Sequence, residues 1–241
     1  MRRLCLTLLG GCILLLAACR GGGEKAAPRA GLSGFWEGKT LLEEDIRVSE
    51  EQFADFAELT AAAPEDEALT ALDALFDRLK AEDEVAYYIY AGWMEGAFYT
   101  PLSPCRSIPL FTRAVERIEK DGVLSPDECV PFTQKRAWMQ FNQIGMQAVP
   151  AEAVASDGPT LVLVLDLSCP SCREALTRLA GEYGHCRHLA LCCGRGTVPD
   201  IPGWEYVSLA HYRDWFDLEM TPFYYLVDPA GVVTQSYTPA L

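Results

Sequence analysis

Two hydrophobic rhythms divide this chain. From Phe35 to Val149 apolar residues recur every three or four positions, the period of an amphipathic helix. Ser49 with Gln52 three residues on predicts a capping-box start, after which Phe53 and Phe56 share one face. Leu69, Leu72, Leu75, Phe76 and Leu79 predict a second helix. Val85 to Tyr99 carries Tyr87, Tyr88, Tyr90, Trp93, Phe98 and Tyr99, a sugar- or peptide-binding stripe or, in the reading we favour, core packing. A fourth helix spans Ile108 to Glu119 and stops at Gly122. A fifth opens with Ser125 as cap, Pro126 first and Glu128 closing the box, and it carries Phe132, Trp138 and Phe141.

Beyond Pro150 the rhythm changes. Thr160 to Leu165 is an unbroken apolar run that suits a central strand covered on both faces. Glu174 to Gly181 predicts a short helix, and Leu189 to Cys193 a second buried strand. Trp204 to Leu209 predicts a third strand. Phe223 to Val227 and Val232 to Gln235 flank Asp228-Pro229-Ala230-Gly231, a hairpin turn. The expectation is an all-α region followed by an α/β domain.

Half of the 241 residues are hydrophobic, enough for a sizeable core, and the formal charge is −14. A surface this acidic repels polyanions, so nucleic acid is excluded as a partner. Between Glu37 and Glu84 sixteen acids face four bases, which reads as solvated helix faces.

The N-terminus stands apart. Arg2 and Arg3 precede an apolar stretch from Leu4 to Ala18, a secretory signal in form. It ends in Leu16-Ala17-Ala18-Cys19, which resembles the bacterial lipobox; Leu9-Gly10-Gly11-Cys12 is a weaker match that leaves too short an apolar core. The resemblance implies cleavage before Cys19 and acylation of that residue, with two or three chains holding the protein on the bilayer. Residues 1–18 are then the signal and 19–34 a Gly-rich tether. No acidic cluster follows Cys19, so the expected location is the periplasmic side of the cell envelope, at the outer membrane rather than the inner.

Of ten cysteines, Cys5 and Cys12 leave with the signal and Cys19 takes the lipid. Cys105, Cys129, Cys169, Cys172, Cys186, Cys192 and Cys193 remain, in a compartment where disulfides persist. A bridge between Cys105 and Cys129 would contribute about 3–4 kcal/mol; two buried thiols are the alternative.

Cys169-Pro170-Ser171-Cys172 follows the first strand and opens a helix. With Pro170 in the first helical position, Cys169 sits at the cap, where orphan amides and the helix dipole favour a thiolate. Cys172, one turn on, is positioned to attack a mixed disulfide. Arg173 adds a nearby positive charge or is an ordinary surface residue. Zinc held with Cys186, His188 or Cys192 is a competing reading, without the paired spacing that zinc sites show. Asp166 is a candidate aid to proton transfer, or else contacts backbone at the strand end.

Fifty residues beyond Cys172 lies Met220-Thr221-Pro222. Strand, Cys-Pro-Ser-Cys, helix, strand, Thr-Pro and hairpin together resemble a thioredoxin-like domain of the TlpA/ResA type. The resemblance implies a cis peptide before Pro222, set against the cysteine pair, and Thr221 as the position that offers its backbone to a client strand. Pro170 and Ser171 would face the client. Residues 35–149 are similar to a helical domain of unknown activity found ahead of such domains in Gram-negative lipoproteins, on Gly34-Phe35-Trp36, Phe98 to Pro104, and Asn142 to Gly145. The expected thioredoxin-like domain, 150–241, is abbreviated. It lacks the last helix, and Leu163 and Ser168 stand where thioredoxin has a buried aspartate and a tryptophan. With so little sheet cover of its own, the helical region is expected to pack over the bare sheet face.

The activity so implied is thiol-disulfide exchange with client proteins that carry cysteines or disulfides, with no cofactor and with a membrane redox partner. The alternative is a non-catalytic binding or scaffold lipoprotein with a degenerate thioredoxin fold.

Overall fold

The computed structural model describes residues 32–170 and 172–239, with side chains described to residue 236. The signal, Cys19, nearly all of the tether and Ser171 lie outside the described residues. No described helix is long and apolar enough to cross a membrane.

Five helices come first: α1 (Ile46–Ala62), α2 (Glu65–Glu82), α3 (Glu84–Phe98), α4 (Ile108–Asp121) and α5 (Pro126–Met139). The start of α1 differs from the sequence expectation. Asp45 is the cap, its carboxylate accepting the Arg47 amide at 3.2 Å. Ser49 lies inside the helix, buried, and its hydroxyl accepts the Glu43 amide at 2.8 Å. A serine that a local pattern assigns to capping is used instead to hold the incoming chain. The box on α5 forms as expected: one Glu128 carboxylate oxygen accepts the Ser125 amide at 2.8 Å and its hydroxyl at 2.6 Å. The aromatic stripe of α3 is core, with Tyr87, Tyr90 and Phe98 fully buried.

The short α6 (Ala151–Val154) leads into β1 (Thr160–Asp166), followed by α7 (Cys172–Glu182), β2 (Arg187–Cys193), β3 (Glu205–Ser208), β4 (Phe223–Val227) and β5 (Val233–Pro239). The sheet order is β3-β2-β1-β4-β5. β1 pairs parallel with β2, β2 parallel with β3, and β4 antiparallel with both β1 and β5.

Alternation along β1 builds two cores. Leu161, Leu163 and Leu165 face α7, joining Cys172, Leu176, Leu179, Ala190 and Cys192. Val162 and Val164 face the other way. They join Leu189, Leu191, Phe223 and Tyr225 in a cluster continuous with the buried residues of α1 to α5. The helical region covers the sheet face that α7 leaves bare, as expected from the abbreviated domain.

The connection between the two regions is tied to the hairpin. Gly145 donates to the Val233 carbonyl at 2.8 Å, Val233 donates back to Met146 at 2.8 Å, and Ala148 donates to Gly231 at 2.9 Å. Asn142, buried at a φ of 52°, takes the left-handed conformation that asparagine tolerates. Its side-chain oxygen accepts the Val149 amide at 2.8 Å, and its carbonyl accepts the Ser236 hydroxyl at 2.7 Å.

Without the helical region, the six side chains of Val162, Val164, Leu189, Leu191, Phe223 and Tyr225 lose their cover. At about 1.5–3 kcal/mol each, that loss is comparable to the whole stability of a typical domain. An isolated segment 150–241 is therefore expected to show no cooperative thermal unfolding by circular dichroism. A melt as sharp and as high as that of residues 32–241 would contradict the shared core.

Candidate active site

The carboxyl ends of β1 and β2 carry the candidate chemistry, the edge where open α/β sheets generally place their sites. Two tight turns follow β1. The Cys169 amide donates to the Asp166 carbonyl at 2.9 Å, and the Cys172 amide reaches the Cys169 carbonyl at 3.4 Å. Pro170 lies in a turn ahead of α7, which is described from Cys172, and not in the first helical position expected of it. Cys169 still sits off the N-terminal end of α7, half-buried, with Pro170 exposed beside it.

The two sulfurs differ in environment. Cys172 is 3 % exposed. Burial first, then a hydrogen bond and electrostatic coupling to Cys169, drive its pKa far above the ordinary thiol value; Asp166 acts both ways, its backbone lowering the pKa through a hydrogen bond and its carboxylate raising it. Cys172 is therefore a thiol throughout the neutral range. Among the described residues Cys105, Cys129, Cys172, Cys186, Cys192 and Cys193 are in no disulfide.

Cys192 and Cys193 end β2 directly beside Leu165 and Asp166. Their side chains fall in opposite cores, and burial pushes their pKa values up to about 11 and about 12. They behave as small hydrophobes. His188, the histidine considered for zinc, has both ring nitrogens at carbonyls, Nε2 at 2.9 Å from Tyr183 and Nδ1 at 3.3 Å from Gly203. Among the described residues no group of three His, Cys, Asp or Glu side chains is arranged to hold a metal ion. Arg173 is exposed on the first turn of α7.

Asp166 contacts backbone: its Oδ1 accepts the Ser168 amide at 2.8 Å, bracing the turn that Cys169 ends. The Thr221–Pro222 peptide is cis. In the β1–β4 register Val164 faces Phe223. Pro222 immediately precedes Phe223, so it lies at the end of β4 that adjoins the carboxyl end of β1, the sheet end of the cysteine turn. Pro222 is buried and Thr221 half-buried. A second cis bond, Val149–Pro150, lies at the join between the regions and was not foreseen.

Sequence reasoning missed the loop after β2. Leu167 donates to the Cys193 carbonyl at 2.9 Å, which draws Gly194-Arg195-Gly196 against the cysteine turn. Gly194 has a φ of +76°, and a Cβ there would lie 2.7 Å from Asp166 Oδ1. At Gly196 a Cβ would lie 2.7 Å from the Leu167 carbonyl oxygen and 2.9 Å from its carbon. A Gly-x-Gly immediately after a buried strand was the available signal, since glycine at a strand end marks close backbone approach.

Two outcomes follow from this geometry. Gly196→Ala must push Leu167 backbone away, costing about 1–3 kcal/mol as overpacking does, to be read from the urea midpoint; an unchanged midpoint would deny the contact. Iodoacetamide at pH 8 is expected to modify Cys169 and spare Cys172 in the reduced protein, by peptide mass mapping. Equal labelling of the two would contradict the burial and raised pKa of Cys172.

No family model matches the chain, and no curated protein matches it either. Among solved structures it is similar to a thioredoxin-like protein from Bacteroides caccae ATCC 43185, with a TM-score of 0.63 over 87% of each chain at 17% identity. That span is more than the sheet region alone, and at such identity the likeness speaks for the fold. The chain has a helical region followed by a mixed α/β sheet of thioredoxin-like fold.

Proposed function

We propose that this protein is a lipid-anchored thiol-disulfide oxidoreductase of the TlpA/ResA type, which exchanges disulfides with client proteins through Cys169 and Cys172. The observation that carries the reading is the asymmetry of the two sulfurs. One is partly exposed in a turn off a helix end, and the other is buried, with its pKa raised by that burial and by the first.

In the reducing direction Cys169, as thiolate, attacks one sulfur of a client disulfide. The client S–S bond breaks, and its electron pair leaves on the other client sulfur. Cys172 then gives up its proton and attacks the Cys169 sulfur, releasing the second client thiolate and closing a Cys169–Cys172 disulfide. Two electrons pass from the dithiol to the client, with no cofactor. The reverse sequence is oxidation, and the two in succession are isomerisation.

The raised pKa of Cys172 makes its deprotonation the step that needs help. Asp166, at the carboxyl end of β1 beside the cysteine turn, is the residue we assign to that transfer. Thr221 and Pro222 orient the client strand, and Pro170 and Ser171 face it. Acylated Cys19 holds the protein to the bilayer on the periplasmic side, at the outer membrane, and a membrane redox partner resets the pair.

Cys172→Ala removes the resolving thiol, so it is expected to accumulate mixed disulfides in cells. They should appear as slower bands on non-reducing gels, collapse with dithiothreitol, and vanish when Cys169→Ala is added. If no adduct forms, the non-catalytic scaffold lipoprotein is the better reading.

A further inference from the structure

The proposed client-orienting pair, Thr221 and Pro222, ends a segment that is fastened from outside the sheet domain. Residues Leu218–Met220 form a 3-10 turn capped by Asp217, whose Oδ1 accepts the Glu219 amide at 2.9 Å. Thr221 is fixed to that turn twice: its amide and its hydroxyl both donate to the Leu218 carbonyl, at 3.1 and 2.8 Å. The position of Thr221 therefore follows the position of Asp217.

Asp217 is a carboxylate only 6 % exposed. Its second oxygen, Oδ2, accepts the hydroxyl of Tyr99 at 2.8 Å, across 118 residues of sequence. Tyr99 is itself 4 % exposed, at the C-terminal end of α3, with its ring packed on Phe111 at 5.1 Å. Lys135 of α5 supplies the compensating charge. Its ammonium lies 2.6 Å from Glu95 and 3.6 Å from Glu219, and it acts electrostatically on Asp217. A buried carboxylate is costly without such a partner and without filled hydrogen bonds. Here Lys135 and Tyr99 of the helical region supply the charge and one hydrogen bond, and the Glu219 amide supplies the other.

We propose that Tyr99 and Asp217 are positioning residues of the redox site: their hydrogen bond lets the helical region set where Thr221 and Pro222 meet a client polypeptide. The inference rests on the oxidoreductase reading above. Tyr99 holds Asp217 by one hydrogen bond, the chain runs directly from Asp217 to Leu218, and the Leu218 carbonyl holds Thr221 by two more. The helical region thereby contributes to substrate geometry without touching either cysteine. It acts on clients long enough to lie along the Thr221 backbone. A small disulfide that reaches only the Cys169 sulfur has no use for that backbone.

The test is single-turnover reaction of the reduced full chain with insulin, a polypeptide disulfide, and with 2-hydroxyethyl disulfide. Tyr99→Phe removes only the hydroxyl and keeps the packed ring. It is expected to slow the reaction with insulin by about tenfold or more, as small misplacements of an orienting group do, while the small disulfide reacts at the wild-type rate. Asp217→Asn is expected to restore most of the insulin rate relative to Tyr99→Phe, because its amide can still pair with the Tyr99 hydroxyl. Equal insulin rates for wild type and Tyr99→Phe would overturn the proposal. So would an equal slowing on both substrates, which signifies general loosening. A wild-type protein that reacts with neither disulfide would instead overturn the oxidoreductase reading, and this proposal with it.

Discussion

The strand β1 is apolar on both faces, and that one property obliges the chain to supply two covers. Leu161, Leu163 and Leu165 require α7, while Val162 and Val164 require something else. A strand with water on either of these faces would forfeit much of its burial energy. The five helices in front of the sheet answer that requirement. The core they share with β1, β2 and β4 makes the helical region part of the same folding unit as the sheet.

The same strand locates the chemistry. Its carboxyl end opens into two tight turns that leave Cys169 half-buried and send Cys172 into the core beneath α7. One strand end thus gives two thiols very different surroundings. Burial keeps Cys172 protonated, and its coupling to Cys169 ties the two sulfurs together. The neighbouring cysteines on β2 show what burial does without such a partner in an exposed turn. Cys192 and Cys193 are packed, protonated and unused by the proposed chemistry.

Backbone packs against the cysteine turn from the loop after β2. Gly194 and Gly196 press against Asp166 and Leu167, and the Thr221–Pro222 segment borders the same strand end. That segment is held in turn by Asp217 and, through it, by Tyr99 of α3. The proposed oxidoreductase site is therefore assembled from both regions of the chain, although both sulfurs come from a single turn.

The sequence by itself determined what depends on short-range pattern. Helical spacing, and apolar runs bounded by turn residues, placed α1 to α5, α7 and the five strands to within a few residues. Ser125, Pro126 and Glu128 announced the start of α5, and Cys169 and Cys172 announced a redox candidate between strand and helix. Tertiary structure decided what depends on distant partners. Ser49 looked like a cap, but Asp45 caps α1, because Ser49 was needed to hold Glu43. Pro170, expected in the first turn of α7, lies in a turn ahead of the described helix. Gly196 and Leu167 approach across twenty-nine positions, and Tyr99 and Asp217 across 118. Local pattern carries no information about such pairs. They exist only once the sheet has aligned β1, β2 and β4 and the helices have closed over it, since a hydrogen bond or a close contact is a property of two surfaces and not of either segment alone.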